Sequence, residues 1–416
     1  MKESNRSTLL LQRLILSIAL PIVLWASLAS WPHSNISAHQ TGEAGKQRPG
    51  EQAFQPVSGG VELLRITRGY KSVDEATGPW VINLLRIDLN SADLRIVHAL
   101  DEGVGLETTS SMAERYGAIA AVNGGYFRTT GTYRGEPTGA LLLDGKLISE
   151  SFDNRAALGL IQRRDRSEII LGHLSFFGRV KTIRGDEIAI NGVNRPRSAN
   201  ELIIFTPEFH RSTLTAPGGV ELIVRRGRVV RLEDGKASSL IPSDGYVISA
   251  SGAARDWLLK NLRIGSRVRL SMNLIPAESD SANLWTQASS IVGGGPQLIK
   301  SGRIDITAQA EKIGEKFVTD RHPRTAIARL KSGKILFVTV DGRQPGTSVG
   351  MSLAELAELL LEFGATEAIN LDGGGSTTMV IGGKVVNTPS DQTGERPVSD
   401  SFLIVRKNFR RQPRMN

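Results

Sequence analysis

With 416 residues, 40% hydrophobic and 22% charged, the chain is long enough to bury one large core or two ordinary ones, and its composition excludes a disordered or fibrous protein. It contains no cysteine, which removes disulfides, thiolate metal sites and cysteine nucleophiles. The net charge of +9 does not mark a nucleic-acid binder: residues 1–50 carry +3 and residues 406–416 carry +5, so the body between them is close to neutral.

The first element is an apolar run, Leu14–Trp31, behind Lys2, Arg6 and Arg13. A basic start followed by such a run reads as a signal peptide with cleavage after Ala29 or Ala38, or as an uncleaved anchor through residues 14–31. Both place the body outside the cytoplasm, because the basic flank stays inside. Residues 1–40 are therefore assigned to a signal peptide or anchor, and the polar stretch 41–58 to a linker.

From about Val61 apolar and polar residues alternate as strands require. Trp80–Leu89 and Leu94–Leu100 are strands, "TTSSMAERYG" is a short capped helix, Ala118–Phe127 is an apolar strand running into Asn-Gly-Gly, and "GALLLDGKLIS" is a hairpin on an Asp-Gly turn. Residues 160–290 carry short strands with glycine turns and read as a β-rich insertion or middle part. Helical signal is strong only over Ser352–Ala365. There Ser352 and Glu355 have capping-box spacing, Leu353, Leu356, Leu360 and Phe363 share a face, and Gly364 stands where the helix would end. The expected fold class is α+β: a mixed, β-sheet-rich catalytic core with few helices, over residues 59–405, followed by a basic tail over 406–416.

The helix leads into "AINLDGGGSTTMVIGGKVVN", in which two apolar strands enclose Asp372, Gly373, Gly374, Gly375, Ser376, Thr377 and Thr378. Successive glycines can turn backbone N–H groups toward one anion, with hydroxyls and a carboxylate beside them; a tight turn capped by Asp372 is the competing structural explanation. No lysine follows the glycines and the G-x-G-x-x-G spacing is absent, so neither a P-loop nor a dinucleotide fingerprint is present. Four further strand junctions repeat the pattern of polar residues with glycine or arginine: Asn123 before Gly124 and Gly125; His322, Arg324 and Thr325; Asp341, Gly342 and Arg343; and Arg396, Ser399 and Asp400. Each alone is an ordinary turn, ion pair or cap. Together they offer guanidinium for phosphate, carboxylate for acid–base or nucleophilic work, and amide or hydroxyl groups for a polyol. No G-x-S-x-G or H-E-x-x-H motif occurs. No cofactor is expected, although Asp341, Asp372 and Asp400 are compatible with a water-rich Mg²⁺ or Ca²⁺ site.

"AVNGGYF", "GGGPQLIKSG", "RHPRTAIA", "VDGRQPGTSVGMSLAELAELLLEFGATEAINLDGGGSTTMV" and "VVNTPSDQTGERPVSD" resemble the phosphodiester glycosidase family, relatives of the enzyme that uncovers mannose phosphate, and look closest to its exported bacterial, exopolysaccharide-related branch. The resemblance spans about residues 60–405. It implies a mixed α/β core and hydrolysis of a sugar joined through its anomeric carbon to a phosphodiester, here in a cell-envelope or extracellular phosphoglycan. Carried onto this chain, it makes Asp372 the catalytic carboxylate, with Asp341 second. Arg324, Arg343 and Arg396 become the phosphate clamp, completed by Thr325, Thr377, Ser376 and the N–H groups of Gly373–Gly375, and Asn123 a contact for a sugar hydroxyl or acetamido group. The expected partner is a sugar phosphodiester or phosphoglycan, with no nucleic acid. A non-catalytic surface protein binding glycans or anionic polymers is the alternative, and a phosphodiesterase cutting P–O is a second.

Overall fold

The computed structural model describes residues 53–69, 78–152, 154–163 and 166–407. The apolar run 14–31 and nearly all of the basic tail lie outside the described residues. Among those described, no helix is long and apolar enough to cross a membrane.

Strands dominate, arranged in four sheets. The largest has eight, in the order Gln55–Ser58, Val61–Arg68, Trp80–Ile87, Ile335–Val340, Arg324–Leu330, Ala365–Asn370, Gln297–Lys300 and Arg303–Ile304. All its ladders are antiparallel. Gln55–Ser58 corrects the expected linker boundary at 58. Its polar composition hides an edge strand, and Pro56 is tolerated because an edge leaves N–H groups unpaired.

The central strands of this sheet read as almost continuous apolar runs because both faces are covered. Leu84, Leu336, Ala326 and Ala328 pack on the side of helix Leu353–Glu362. Leu85, Phe337, Ile327 and Ile369 point to the other side, as period-2 alternation requires. There they meet Leu94, Val122, Phe402 and Ile404 of a five-stranded sheet, in the order Lys384–Val385, Met379–Ile381, Ala120–Asn123, Asp400–Arg406 and Ala92–His98. The rings of Phe337 and Phe402 join the two sheets with centroids 5.2 Å apart. Leu158, Leu160, Leu171 and Val292 of a seven-stranded sheet close the same core.

The middle of the chain divides between two sheets. Arg155–Gln162, Ser167–Thr182, Val268–Pro276 and Ser290–Gly293 belong to the seven-stranded sheet. Residues 192–234 and 245–250 build a further five-stranded sheet, whose Gly192–Val193 and Leu202–Phe205 form the parallel pair among otherwise antiparallel ladders.

The helix Leu353–Glu362 carries the capping box expected of Ser352 and Glu355, and Gly364 takes φ +83° just past its end. The short helix Thr109–Arg115 is capped by Thr108, whose side chain accepts from Ser111 N. Gly252–Asn261 is a helix that the sequence pattern did not signal. Among its residues only Ala254 and Leu258 are buried, too few to make a readable apolar stripe.

Candidate active site

The Asp372–Thr378 motif links two sheets. Strand Ala365–Asn370 lies in the eight-stranded sheet, and Met379–Ile381 pairs with Ala120–Asn123 in the five-stranded one. Asp372 and its glycines bridge them where the chain leaves one ladder for the other. The junctions at Asn123, Arg324–Thr325, Asp341–Arg343 and Asp400 all open onto this bridge.

Asn123 and Thr325 knit its inner side. Asn123 Nδ2 donates to Asp372 O at 2.7 Å, and Oδ1 accepts from Thr325 Oγ1 at 2.9 Å and Thr378 N at 3.1 Å. Thr325 Oγ1 also lies 3.4 Å from Thr377 Oγ1. Asn123, Thr325, Ser376, Thr377 and Thr378 are all buried. This corrects the expectation that Asn123, Thr325 and Thr377 are substrate contacts: their polar side-chain groups bond within the loop, whereas the buried Ser376 Oγ has no hydrogen-bond partner among the described residues.

The glycines have a different purpose from the one expected. Gly373 N donates to Asp372 Oδ1 at 2.9 Å and Gly374 N to Pro323 O at 2.8 Å, so two of the three N–H groups are already engaged. What the loop requires is room. A Cβ on Gly373 would stand 2.7 Å from Pro323 O, one on Gly374 would stand 3.0 Å from Arg343 Nη2, and one on Gly375 would stand 2.2 Å from both Arg396 Nη2 and Asp391 Oδ1. Gly374 also has φ +61°, where a side chain is strained. The glycines let guanidinium groups come down onto the backbone.

The three arginines of the expected clamp differ in state. Arg343 is exposed, sits at φ 60° and has no hydrogen-bond partner among the described residues. Arg396 forms a two-pronged pair with Asp391, at 2.7 and 2.9 Å. Arg324 is 1% exposed: Nε donates to Met351 O at 2.8 Å, Nη2 to Phe317 O at 2.7 Å and Asp320 O at 2.9 Å, and only Nη1 is left over. Burial brings its pKa down to about 10. Arg324 is thus chiefly a brace for the Phe317–Asp320 turn, not a full fork for phosphate.

The two catalytic candidates also separate. Asp341 is buried, with Oδ1 accepting from Asn387 Nδ2 at 3.1 Å and Oδ2 from Thr388 N at 3.0 Å. Burial raises its pKa, and both oxygens are committed to the neighbouring loop, so Asp341 is a structural cross-brace, a correction to the second catalytic assignment. Asp372 is half-buried, and its pKa is pushed up to about 7, first by desolvation and further by Asp400, against Ser376, the Gly373 N–H and Arg396. Ser376 Oγ is buried without an aligned hydrogen bond, so it acts on Asp372 as a nearby dipole. Asp400 accepts from Gly125 N at 2.8 Å through Oδ1, and burial brings it to about 6. Among the described residues no three carboxylate or imidazole groups converge as metal ligands.

Several residues at the site were not singled out from the sequence. Tyr126 donates to Gly295 O at 2.7 Å and accepts from Asn370 Nδ2 at 2.7 Å. Burial and then the Asp372 charge raise its phenol, keeping it protonated. Phe317 sets its ring edge-on to Tyr126 at 6.3 Å. Tyr126 and Asn370 stand within two residues of Gly124–Gly125 and Asp372, so proximity to those motifs was the available signal. A cavity of about 590 Å³, lined by Arg95, His98, Tyr116 and Lys146 among others, does not include Asp372.

A half-buried carboxyl of near-neutral pKa, with guanidinium groups at the adjacent glycines, can exchange a proton beside a bound anion. The comparisons agree with that chemistry. Residues 218–405 match the family model for phosphodiester glycosidase. The chain is 31% identical over 182 residues to the N-acetylglucosamine-1-phosphodiester alpha-N-acetylglucosaminidase of Mus musculus, which covers 41% of this chain and 33% of that protein. The chain thus spans about a third of the length of this relative. A crystal structure from Burkholderia pseudomallei, of a protein described as exported, is 30% identical with a TM-score of 0.70, covering 79% of this chain and 74% of that one. A hypothetical protein from Synechocystis shares the fold, at TM-score 0.71 and 24% identity over 84% of this chain and 62% of that one. The residues that match the phosphodiester glycosidase family model, 218–405, contain Asp372 and all three arginines at its glycine loop.

Proposed function

We propose that the protein hydrolyses the bond between the anomeric carbon of a sugar and a phosphodiester oxygen, in a phosphoglycan of the cell envelope or its surroundings. The observation that carries this reading is Asp372, a half-buried carboxyl brought to about 7, with Arg343 and the Arg396–Asp391 pair against Gly374 and Gly375. A base works best with a pKa near the working pH.

In this reading Arg343 binds the phosphate oxygens, assisted by Nη1 of Arg324 and the outer edge of Arg396. A water attacks C1 as Asp372 takes its proton. The C1–O bond breaks with its electron pair on the bridging oxygen, giving free sugar and a phosphomonoester dianion. That leaving group needs little protonation, so a strong general acid is less necessary than for an ordinary glycoside. Attack by Asp372 itself on C1 is the covalent variant of the same assignment. The basic start and apolar run of the sequence, and the likeness to an exported protein, support an extracytoplasmic location.

Turnover of a panel of sugar phosphodiesters in ¹⁸O water tests the reading. Label in the released sugar is expected. Label in the phosphate would mean P–O cleavage and a phosphodiesterase; no turnover of any member would leave a glycan-binding protein.

A further inference from the structure

Arg155 is the guanidinium at this site that the reading above does not use. It starts strand Arg155–Gln162 of the seven-stranded sheet and reaches the edge of the site at Gly295, whereas Arg343 stands at Gly374. Its Cδ lies 3.5 Å from where a Cβ on Gly295 would be, and the carbonyl of that glycine holds Tyr126 and Asn370, at 2.7 and 3.0 Å. The guanidinium is close enough to Tyr126 to act on the phenol's ionisation, as Asp372 does.

The arm is fixed in place. Arg155 Nε donates to Glu311 O at 3.1 Å, and Nη1 and Nη2 have no hydrogen-bond partner among the described residues. The Glu311 carboxylate, though near, bonds to other groups. Oε1 has His173 Nε2 at 3.2 Å, Thr307 Oγ1 at 2.5 Å and Gln297 N at 2.8 Å, and Oε2 has Ala156 N at 3.0 Å. It ties the two large sheets together instead of closing on the guanidinium ends, so the Arg155 fork is positioned but unspent.

A phosphodiester carries one negative charge. Arg396 is matched by Asp391, and Arg324 is largely capped by carbonyls with Asp320 beside it, which leaves Arg343 for the phosphate. The Arg155 guanidinium lies near Tyr126, and among the described residues no carboxylate forms an ion pair with it. We propose that Arg155 contacts the substrate and binds a second anionic group, a carboxylate or a phosphate carried on the sugar. The inference rests on the glycosidase reading and narrows its substrate class to acidic or phosphorylated sugars. A planar fork with both ends free suits two oxygens of one such group.

The test uses three probes: glucosyl, glucuronosyl and 6-phosphoglucosyl methyl phosphodiesters. Their dissociation constants are measured by calorimetry on the full chain carrying Asp372→Asn, with and without Arg155→Gln, and their turnover on the unmodified protein. An anionic sugar should bind about tenfold or more tightly than the neutral one, as a charged hydrogen bond implies, and the ratio should collapse toward one with Arg155→Gln. Arg155→Lys, which keeps the charge without the fork, should retain part of it. Preference for the glucuronosyl or the phosphoglucosyl probe identifies the anion. Equal or absent binding of the three, or a preference that survives Arg155→Gln, overturns the proposal. Anion preference without turnover by the unmodified protein would sink the glycosidase reading and leave the Arg155 site standing.

Discussion

Asn123 holds Asp372 by its main chain and leaves its carboxylate alone: Nδ2 donates to Asp372 O at 2.7 Å while Oδ1 accepts from Thr325 and Thr378. Asn123→Ala should therefore unseat the loop and orphan buried donors. We expect a loss of about 2–4 kcal/mol in urea unfolding, from three lost bonds and the unsatisfied Thr378 N–H, with turnover falling as Asp372 shifts. Full stability would show that these bonds contribute little.

Asp372→Asn keeps the shape and removes the charge. If Asp372 is the base, kcat falls by at least about 10²-fold, the low end for acid–base roles. In the unmodified protein kcat/KM should rise with pH and level off above about 7, where the carboxyl is ionised. A flat profile from pH 5 to 8 would remove Asp372 from that role.

The same carboxyl sets a stability trend. Its folded pKa, about 7, and that of Asp400, about 6, lie above the ordinary value of roughly 4. Between those limits the folded state binds more protons than the unfolded one, so this contribution is complete below about pH 4 and is lost as pH rises through 6 and 7. Melting temperature measured across pH 4–8 should show that loss, and Asp372→Asn should flatten it. An unchanged slope in the variant would mean that Asp372 does not titrate there.

Arg324 and Arg343 should respond in opposite ways. Arg324→Met leaves the carbonyls of Met351, Phe317 and Asp320 without their donor, and we expect a cost of about 3 kcal/mol or more in stability. Arg343→Met touches no internal bond and should change stability by less than about 0.5 kcal/mol, while weakening inhibition by inorganic phosphate about tenfold or more. Unfolding curves and phosphate inhibition on both variants decide the matter; a fully stable Arg324→Met would return that residue to the clamp.

Gly375→Ala tests why the loop is glycine-rich. The added Cβ would strike Arg396 and Asp391 at 2.2 Å. The pair must part or the loop must shift, at about 1–3 kcal/mol, as for overpacking elsewhere. Phosphate inhibition should weaken with it. Wild-type inhibition and melting temperature in this variant would show that the loop has slack.

What was readable in the sequence was what neighbours decide locally. Ser352 and Glu355 cap a helix three residues apart, and Asp144–Gly145 turns a hairpin with both residues at positive φ. The motif around Asp372 could be placed between strands for the same reason. Arg324 and Asp341 were read as facing a ligand because a polar residue at a strand end looks the same from sequence whether it does so or, as here, bonds Met351 O 27 positions away or Asn387 Nδ2 46 positions away. Arg155 and Glu311 were invisible for a related reason: their partners lie 156 positions apart, and only packing of the two large sheets brings them to Gly295.

The bridge from Asn370 to Met379 has a consequence for motion. Leu371 N is bonded to Thr325 O in one sheet, while Asn123 N is bonded to Thr378 O in the other. A segment stitched at both ends into different ladders cannot peel away as a flap does. Its amides should exchange with solvent only when both sheets come apart, at rates close to those of the core strands. The carboxylate at its centre would then stay in register through every local fluctuation short of unfolding, and substrate access would depend on the exposed turns around it.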